Sequence, residues 1–243
     1  ADDGKLLAGG QTMIPTLKQR LASPSDLVDL GGIAELKGIT VSGGTITIGA
    51  MTTHAAVAAS AEIKSALPAL AELADHIGDA QVRNRGTIGG SVANNDPAAD
   101  YPAACLALGA TIHTSQRDIT ADDFFTGLFE TALEEDEIIT KISFPVANKA
   151  AYVKFPNPAS RYALVGVFVA DGPAGTRVAV TGAGQDGVFR VPEMESALSG
   201  SFSADVIANV KVSADDLNAD IHASADYRAH LITVMAKRAV AKI

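Results

Sequence analysis

Two glycine doublets in similar surroundings are the residues of this 243-residue chain that point most directly to chemistry. The first lies in Leu7-Ala8-Gly9-Gly10-Gln11-Thr12, and the second lies in Thr87-Ile88-Gly89-Gly90-Ser91. Each doublet follows residues that favour a strand, and glycine lets backbone N–H groups approach an anion where a Cβ would obstruct them. Two such loops predict one long, phosphate-bearing ligand, and therefore a bound cofactor.

The first doublet sits between a predicted strand and a predicted helix. Lys5 to Ala8 predicts a short buried strand, and Thr12 to Leu21 predicts a helix with Thr12 as its N-cap. N–H groups at a helix start favour a pyrophosphate, helped by the positive end of the helix dipole. The alternative is an ordinary tight turn.

The second doublet lies in a run of polar donors from Arg83 to Asn94. Arginine side chains suit phosphate, and the hydroxyls of Thr87 and Ser91 suit sugar hydroxyls or phosphate oxygens. The alternative is that the arginines are simply solvated. The density of donors favours a ligand site here.

Other candidate motifs indicate structure rather than chemistry. The segment Gly182 to Gly187 matches G-x-G-x-x-G, but it leads into another strand and predicts a hairpin loop. The five histidines show no metal-ligand spacing. Cys105, the single cysteine, lies on an apolar helix and predicts a buried inert thiol. One thiol cannot hold an iron–sulfur cluster, so any cluster needs another polypeptide.

Composition excludes several classes of protein. Hydrophobic residues make up 47% of the chain and charged residues 19%, which is typical of packed cores. The net charge of −9, with scattered Lys and Arg, argues against a nucleic-acid partner. No apolar run approaches the ~20 residues of a membrane span. We expect a cytoplasmic enzyme component, and, because the chain starts at Ala1 without methionine, a segment before it.

The pattern of elements changes near residue 148, where we place a domain boundary between 1–148 and 149–243. The first part mixes strands, such as Thr45 to Ala50 and Ile138 to Phe144, with helices from Thr53 to Ala59, Pro68 to Ile77 and Ala98 to Leu108. The second part predicts three antiparallel strands: Tyr152 to Phe155, Leu164 to Ala170 and Arg177 to Thr181. A tail that is helical from Ala204, broken near Ser213 to Ser224 and helical again from Tyr227 follows.

These segments resemble the FAD-binding subunits of molybdenum hydroxylases, the xanthine dehydrogenase and aerobic carbon monoxide dehydrogenase family, and most of all the carbon monoxide dehydrogenase medium subunits. The resemblance covers nearly the whole chain. It is carried by LLAGGQTMIPTLKQRLASPSDLVDL, GAMTTHAAV, QVRNRGTIGGSVANNDPAADYPAACLALGA, DEIITKISFP, AAYVKFPNPASRYALVGVFVA and DYRAHLITVMAKRAV. The resemblance also implies that the N-terminal strand and helix of that family are missing from this sequence.

The resemblance implies an α+β fold: a two-lobed FAD-binding domain of the p-cresol methylhydroxylase type, followed by a small antiparallel sheet with helices. It implies that FAD is held by the two loops, by Asp100, and by residues nearby. The implied cofactor-binding residues are Leu7, Ala8, Gly9, Gly10, Gln11, Thr12, Ile77, Thr87, Ile88, Gly89, Gly90, Ser91, Asn94, Asp100, Ile139, Lys154 and Tyr162. A core tyrosine at a strand start is the alternative for Tyr162.

The function that the resemblance implies is electron transfer, not substrate oxidation. Electrons would pass from a molybdenum-pterin cofactor on a large partner, through 2Fe-2S clusters on a small partner, to FAD here and on to an external acceptor. The expected assembly is a dimer of heterotrimers. Two alternatives remain: a free-standing FAD-dependent oxidoreductase of the same fold, and a scaffold that has lost its ligand.

Overall fold

The structure, a computed structural model, describes residues 3–243 and has a mixed α+β fold. The expected segment before Ala1 lies outside these residues. The first part of the chain contains β1 (Gly4–Leu7), α1 (Met13–Lys18), β2 (Asp26–Asp29), β3 (Ile39–Ser42), β4 (Thr45–Gly49), α2 (His54–Ala59), α3 (Ala61–Ala66), α4 (Pro68–Asp75), α5 (Ala80–Arg85), α6 (Ile88–Asn94), α7 (Tyr101–Leu108), β5 (Thr111–Thr114), β6 (Asp118–Thr120), α8 (Ala121–Phe124), β7 (Phe125–Gly127), β8 (Glu130–Thr131) and β9 (Ile139–Pro145). The second part contains β10 (Lys149–Pro156), β11 (Ala163–Gly172), β12 (Gly175–Gly184), β13 (Gly187–Arg190), α9 (Pro192–Gly200) and α10 (Ala225–Lys242).

The first strand lies in a small parallel pair, where β1 lies beside β2 and Lys5 is opposite Leu27. The prediction of a strand here is confirmed, but the prediction that it is buried is wrong. Leu6 is 44% exposed and Val28 is 51% exposed. Among residues 3–243 no third strand joins this pair, so much of its apolar surface faces solvent.

A five-stranded antiparallel sheet in the order β3-β4-β9-β5-β6 carries the main core of the first part. The predicted strands around Thr45 and Ile138 are both confirmed. In β4, Ile46 and Ile48 are fully buried and alternate with less buried threonines, as the period of a half-buried strand requires. The predicted helix after Thr53 is also confirmed, since the Thr53 side chain accepts a hydrogen bond from the Ala56 N–H.

The second sheet is antiparallel, in the order β10-β11-β12-β13. Its first three strands are the three that the sequence predicts, and the G-x-G-x-x-G segment is the hairpin connection to the fourth. The predicted helix from Tyr227 is confirmed as part of α10. The predicted helix from Ala204 is wrong, because this stretch forms turns with i to i+3 bonds such as Val210 N–H to Ile207 C=O. Its β-branched residues disfavour a helix.

The second sheet lies between two groups of helices. Phe168 and Ala170 face the core shared with α4 and α7, whereas Val167 and Val169 face α9 and α10. Burial of both faces explains the continuous apolar run from Ala163 to Ala170, which does not alternate with polar residues. The two parts of the chain are therefore packed directly against each other.

Two features are absent from residues 3–243. No helix among them has both the length and the apolar character needed to cross a membrane. No group of three or more His, Cys, Asp or Glu side chains in the same residues is arranged to hold a metal ion.

Candidate functional site

The first glycine loop connects β1 to α1 and has N–H groups without acceptors among residues 3–243. Gly10 has φ +77°, a conformation that favours glycine. Within residues 3–243, the backbone N–H groups from Gly9 to Thr12 donate to no carbonyl or side chain. Thr12 is the N-cap of α1, as predicted, but its side chain makes no capping hydrogen bond: its backbone is already helical, and its carbonyl accepts from Thr16 N–H at 3.1 Å. The loop can therefore receive an anion.

The second glycine loop has a different local structure from the one predicted. It follows α5 rather than a strand, and Gly89 and Gly90 lie in the first turn of α6. Its N–H groups already have acceptors: Ile88 donates to Thr52 C=O at 3.1 Å, Gly89 to Ala50 C=O at 2.8 Å, Gly90 to Thr87 Oγ1 at 3.2 Å and Ser91 to Thr87 C=O at 3.0 Å. The side chains of this loop, rather than these N–H groups, remain for a ligand.

The two loops lie against each other, although they are far apart in sequence. A Cβ added to Gly9 would lie 2.1 Å from Arg85 O and 2.8 Å from Gly86 Cα. A Cβ added to Gly90 would lie 3.2 Å from Ala8 Cβ. Side chains here would separate the loops, so these glycines are needed for their contact. The structure therefore brings the two glycine loops into direct contact.

Glycine is required at position 89 for a different reason, the packing of α6 against the end of β4. A Cβ added there would lie 2.5 Å from Ala50 Cβ, on the side of α6 that packs against the end of β4. The absent side chain therefore faces the protein interior, and the position is required for helix packing rather than for approach of a ligand.

Arg83 and Arg85 differ in their surroundings. Arg83 Nη1 donates to Ile77 C=O at 3.2 Å, so Arg83 holds the chain segment after α4 rather than extending into solvent. Arg85 is exposed, and its carbonyl lies against Gly9. Of the two, Arg85 is the one next to the first loop.

His54 lies beneath the second loop and was not singled out from the sequence. Its N–H donates to Gly86 C=O at 3.0 Å, and its ring lies 5.4 Å from that of Tyr101 between centroids. Burial, helped by the positive charge of Arg83, lowers the pKa of His54 to about 4. His54 is therefore neutral and structural at neutral pH.

Acidification is expected to destabilise the protein through His54. Because its folded pKa lies below 6.5, its contribution to stability is complete above pH 6.5 and is lost as the pH falls from 6.5 to about 4. The loss at pH 4 is about 3 kcal/mol. Urea unfolding across this range should show a smaller pH dependence for His54→Gln than for the native protein; equal slopes would exclude His54 as the source.

Asp100 forms a buried cluster with two residues of β10. Its carboxylate is 4% exposed, accepts a hydrogen bond from the Tyr152 hydroxyl, and lies 3.0 Å from Lys154 Nζ. Lys154 Nζ also donates to His76 C=O at 3.0 Å. Burial raises the pKa of Asp100, and the charge of Lys154 opposes that change. The two residues implied as FAD contacts thus pair with each other and join the start of α7 to β10.

The remaining residues named from the resemblance lie in different surroundings. Ile77 is partly buried just after α4, and Ile139 is 6% exposed at the start of β9. Asn94 ends α6. Tyr162 is 53% exposed, so it is not the core tyrosine of the alternative interpretation. It borders a cleft of about 250 Å³ that is also lined by Asp96, Asn218, His222 and Arg228.

Cys105 is fully buried, as predicted, and burial raises the pKa of its thiol. A thiol held protonated is a poor nucleophile. Cys105→Ala is expected to leave the activity of the protein unchanged, at a stability cost of about 1 kcal/mol for the lost buried atom. Steady-state kinetics beside thermal unfolding would check this, and lost turnover at unchanged stability would contradict it.

Comparison with known proteins identifies the family. A family model described as the FAD binding domain in molybdopterin dehydrogenase matches residues 1–147. The chain is 34% identical to the nicotine 6-hydroxylase medium subunit of Paenarthrobacter nicotinovorans, over 98% of this chain and 89% of the relative. It is also 34% identical to the carbon monoxide dehydrogenase medium chain of Hydrogenophaga pseudoflava, over 98% and 88%.

Solved structures agree with the sequence comparison. The structure of carbon monoxide dehydrogenase from Hydrogenophaga pseudoflava matches with a TM-score of 0.87 at 36% identity, over 99% of this chain and 89% of that one. Quinoline 2-oxidoreductase from Pseudomonas putida 86 matches with a TM-score of 0.87 at 29% identity, with the same coverage. The chain therefore belongs to the FAD-binding medium-subunit family of the molybdopterin dehydrogenases.

Proposed function

We propose that this chain binds FAD across its two glycine loops and transfers electrons within a molybdenum hydroxylase. The strongest support for the proposal comes from the first loop. Its consecutive N–H groups from Gly9 to Thr12 have no acceptor within residues 3–243, and the loop lies directly against the second loop. Backbone N–H groups at the start of a helix suit a diphosphate. Membership of the family supports the same ligand.

Each part of the site has its own proposed role. The N–H groups of the first loop hold the diphosphate, with Leu7 and Ala8 supporting the loop. The side chains of Ser91 and Asn94 offer hydroxyl and amide groups to the sugar and ribityl hydroxyls, whereas Thr87, which is 3% exposed, supports the site by accepting from the Gly90 N–H at the start of α6. Ile88 and Gly89 position α6 through their bonds to Thr52 and Ala50. Bound FAD supplies the redox chemistry, since a flavin exchanges one or two electrons.

The buried cluster has a supporting role in this proposal. Lys154 joins β10 to Asp100 and to the carbonyl at the end of α4, directly before Ile77. The cluster thereby fixes the segment that the resemblance places beside FAD. Tyr162, with its exposed ring beside the cleft, is the residue proposed to lie near the isoalloxazine ring.

The wider assembly follows from the family. We propose an FAD-binding domain at 1–148 with the two lobes of the p-cresol methylhydroxylase type, and a C-terminal domain at 149–243. The partners are a large subunit with the molybdenum-pterin cofactor and a small subunit with 2Fe-2S clusters, in a dimer of heterotrimers. The chain passes electrons from the clusters to an external acceptor.

The composition of the native complex tests this proposal. The complex is purified without tags on other chains, its flavin is released by acid and identified, and its chains are separated on a denaturing gel. The expected result is FAD at one per copy of this chain, two further chains, and both molybdenum and iron. Active FAD-loaded protein without further chains would favour the free-standing oxidoreductase, and a complex without flavin would overturn the proposal.

A further inference from the structure

The hairpin of β7 and β8 presents two large apolar side chains to solvent. Leu128 and Phe129 form its turn and are 50% and 54% exposed. We call these two residues the apolar tip. Single exposed apolar residues are common on protein surfaces, but two adjacent ones at the end of a projecting turn form a patch that suits a protein contact.

The backbone holds the apolar tip in an unfavourable conformation. Phe129 has φ +55°, in the left-handed region where a tight turn usually has Gly or Asn at this position. A bulky residue there is an outlier, and such strain clusters at functional sites. The fold thus retains a large apolar side chain at a position where glycine would be more stable.

Asn95 fixes the hairpin to α6. It is 1% exposed, and its Nδ2 donates to Gly127 C=O at 2.9 Å and to Glu130 C=O at 2.8 Å, on both sides of the turn. Asn95 is also the C-cap of α6, the helix whose first turn contains Gly89 and Gly90. The hairpin is therefore connected rigidly to the second glycine loop through one helix, which is about 10 Å long at 1.5 Å per residue.

The chain next to the apolar tip is acidic. Glu130, Glu134, Glu135 and Asp136 follow it within a few residues, and all four are exposed. Within residues 3–243 only Glu134 of these has a cationic partner, Arg117 at 3.7 Å. Apolar side chains followed directly by the exposed carboxylate of Glu130 are complementary to an apolar pocket bordered by Lys or Arg.

We propose that the apolar tip is a docking point for a partner protein chain whose surface has an apolar pocket bordered by basic residues. The inference rests on the proposed function, in which this chain works inside a multi-subunit complex. Docking at the hairpin positions that partner one helix away from the second glycine loop.

Phe129→Gly in the intact complex is the main test. Glycine relieves the left-handed strain, so the thermal unfolding temperature of the variant chain should be equal to or above that of the native chain. The partner chain should nevertheless dissociate at least tenfold more readily on dilution, measured by size-exclusion chromatography. The matched control is Ile221→Ser, which alters a residue that is 96% exposed elsewhere and should dissociate like the native complex. Native-like assembly of Phe129→Gly would overturn the proposal.

Thiol labelling gives a second readout that does not depend on altered affinity. The native thiol of Cys105 is buried, so Leu128→Cys provides one reactive site. Its labelling should be at least tenfold slower in the complex than in the separate full-length chain, while Ile221→Cys should label equally in both. Equal labelling of Leu128→Cys would overturn this inference even where FAD and partner chains are present. A native preparation that contains neither FAD nor partner chains would instead overturn the proposed function.

Discussion

Gly9→Ala is expected to lower the affinity of the protein for FAD by at least tenfold. The added Cβ would lie 2.1 Å from Arg85 O, and this atom belongs to the backbone, so it cannot move aside as a flexible side chain can. The two loops must therefore separate, and the N–H groups of the first loop lose their position relative to the second. Overpacking of this kind costs about 3 kcal/mol.

The measurement for Gly9→Ala is the FAD content of the purified protein together with its urea unfolding curve. Gly32→Ala is the matched control, because a Cβ there has no atom within 4 Å and the residue lies in the same part of the chain. That control should keep its FAD and change the free energy of unfolding by less than about 1 kcal/mol. Native FAD content in Gly9→Ala would contradict the close packing of the loops.

Lys154→Met is expected to destabilise the protein by about 3–5 kcal/mol at pH 7, because it leaves the Asp100 carboxylate buried without its cation. Both side chains are 4% exposed, so water cannot replace the lost ammonium group. The expected effect includes a weaker contact between β10 and the end of α4, where Lys154 binds His76 C=O. Chemical denaturation of the native and variant proteins measures it.

The pH dependence separates this electrostatic effect from lost packing. Burial raises the pKa of Asp100 in the folded state, and loss of Lys154 raises that pKa further. The neutral carboxyl of the variant is favoured below its folded pKa, so the destabilisation should be smaller at pH 5 than at pH 8. The double variant Asp100→Asn/Lys154→Met should recover part of the lost stability at pH 8. A destabilisation that is the same at both pH values would indicate packing alone.

Local sequence signals are sufficient to predict many of the helices and strands of the fold. The alternation around Ile46 and Ile48 predicts β4, and Thr53 predicts the start of α2, because each depends on residues within a few positions. The first glycine doublet also lies between a strand and a helix, as predicted. The exposure of β1 could not be predicted, since the exposure of Leu6 depends on which strands lie beside β1.

The structure differs from the predictions made from the sequence where contacts between distant segments determine the local conformation. The second doublet resembles the first in sequence, but contacts with Ala50 and Thr52 place its glycines in the first turn of a helix. The pairing of Asp100 with Lys154 joins residues more than fifty positions apart, and no local pattern indicates it. Phe129 has a left-handed backbone that sequence propensity disfavours, so only the structure shows the tight turn.

Flavin titration of the flavin-depleted protein tests most directly whether the loops hold a diphosphate-bearing flavin. FAD and riboflavin carry the same ring system, but only FAD has the diphosphate that the N–H groups from Gly9 to Thr12 are proposed to bind. We expect FAD to bind one per chain, with quenched flavin fluorescence, and riboflavin to bind at least a hundredfold more weakly. Equal affinities for FAD and riboflavin, or no binding of FAD, would contradict the account.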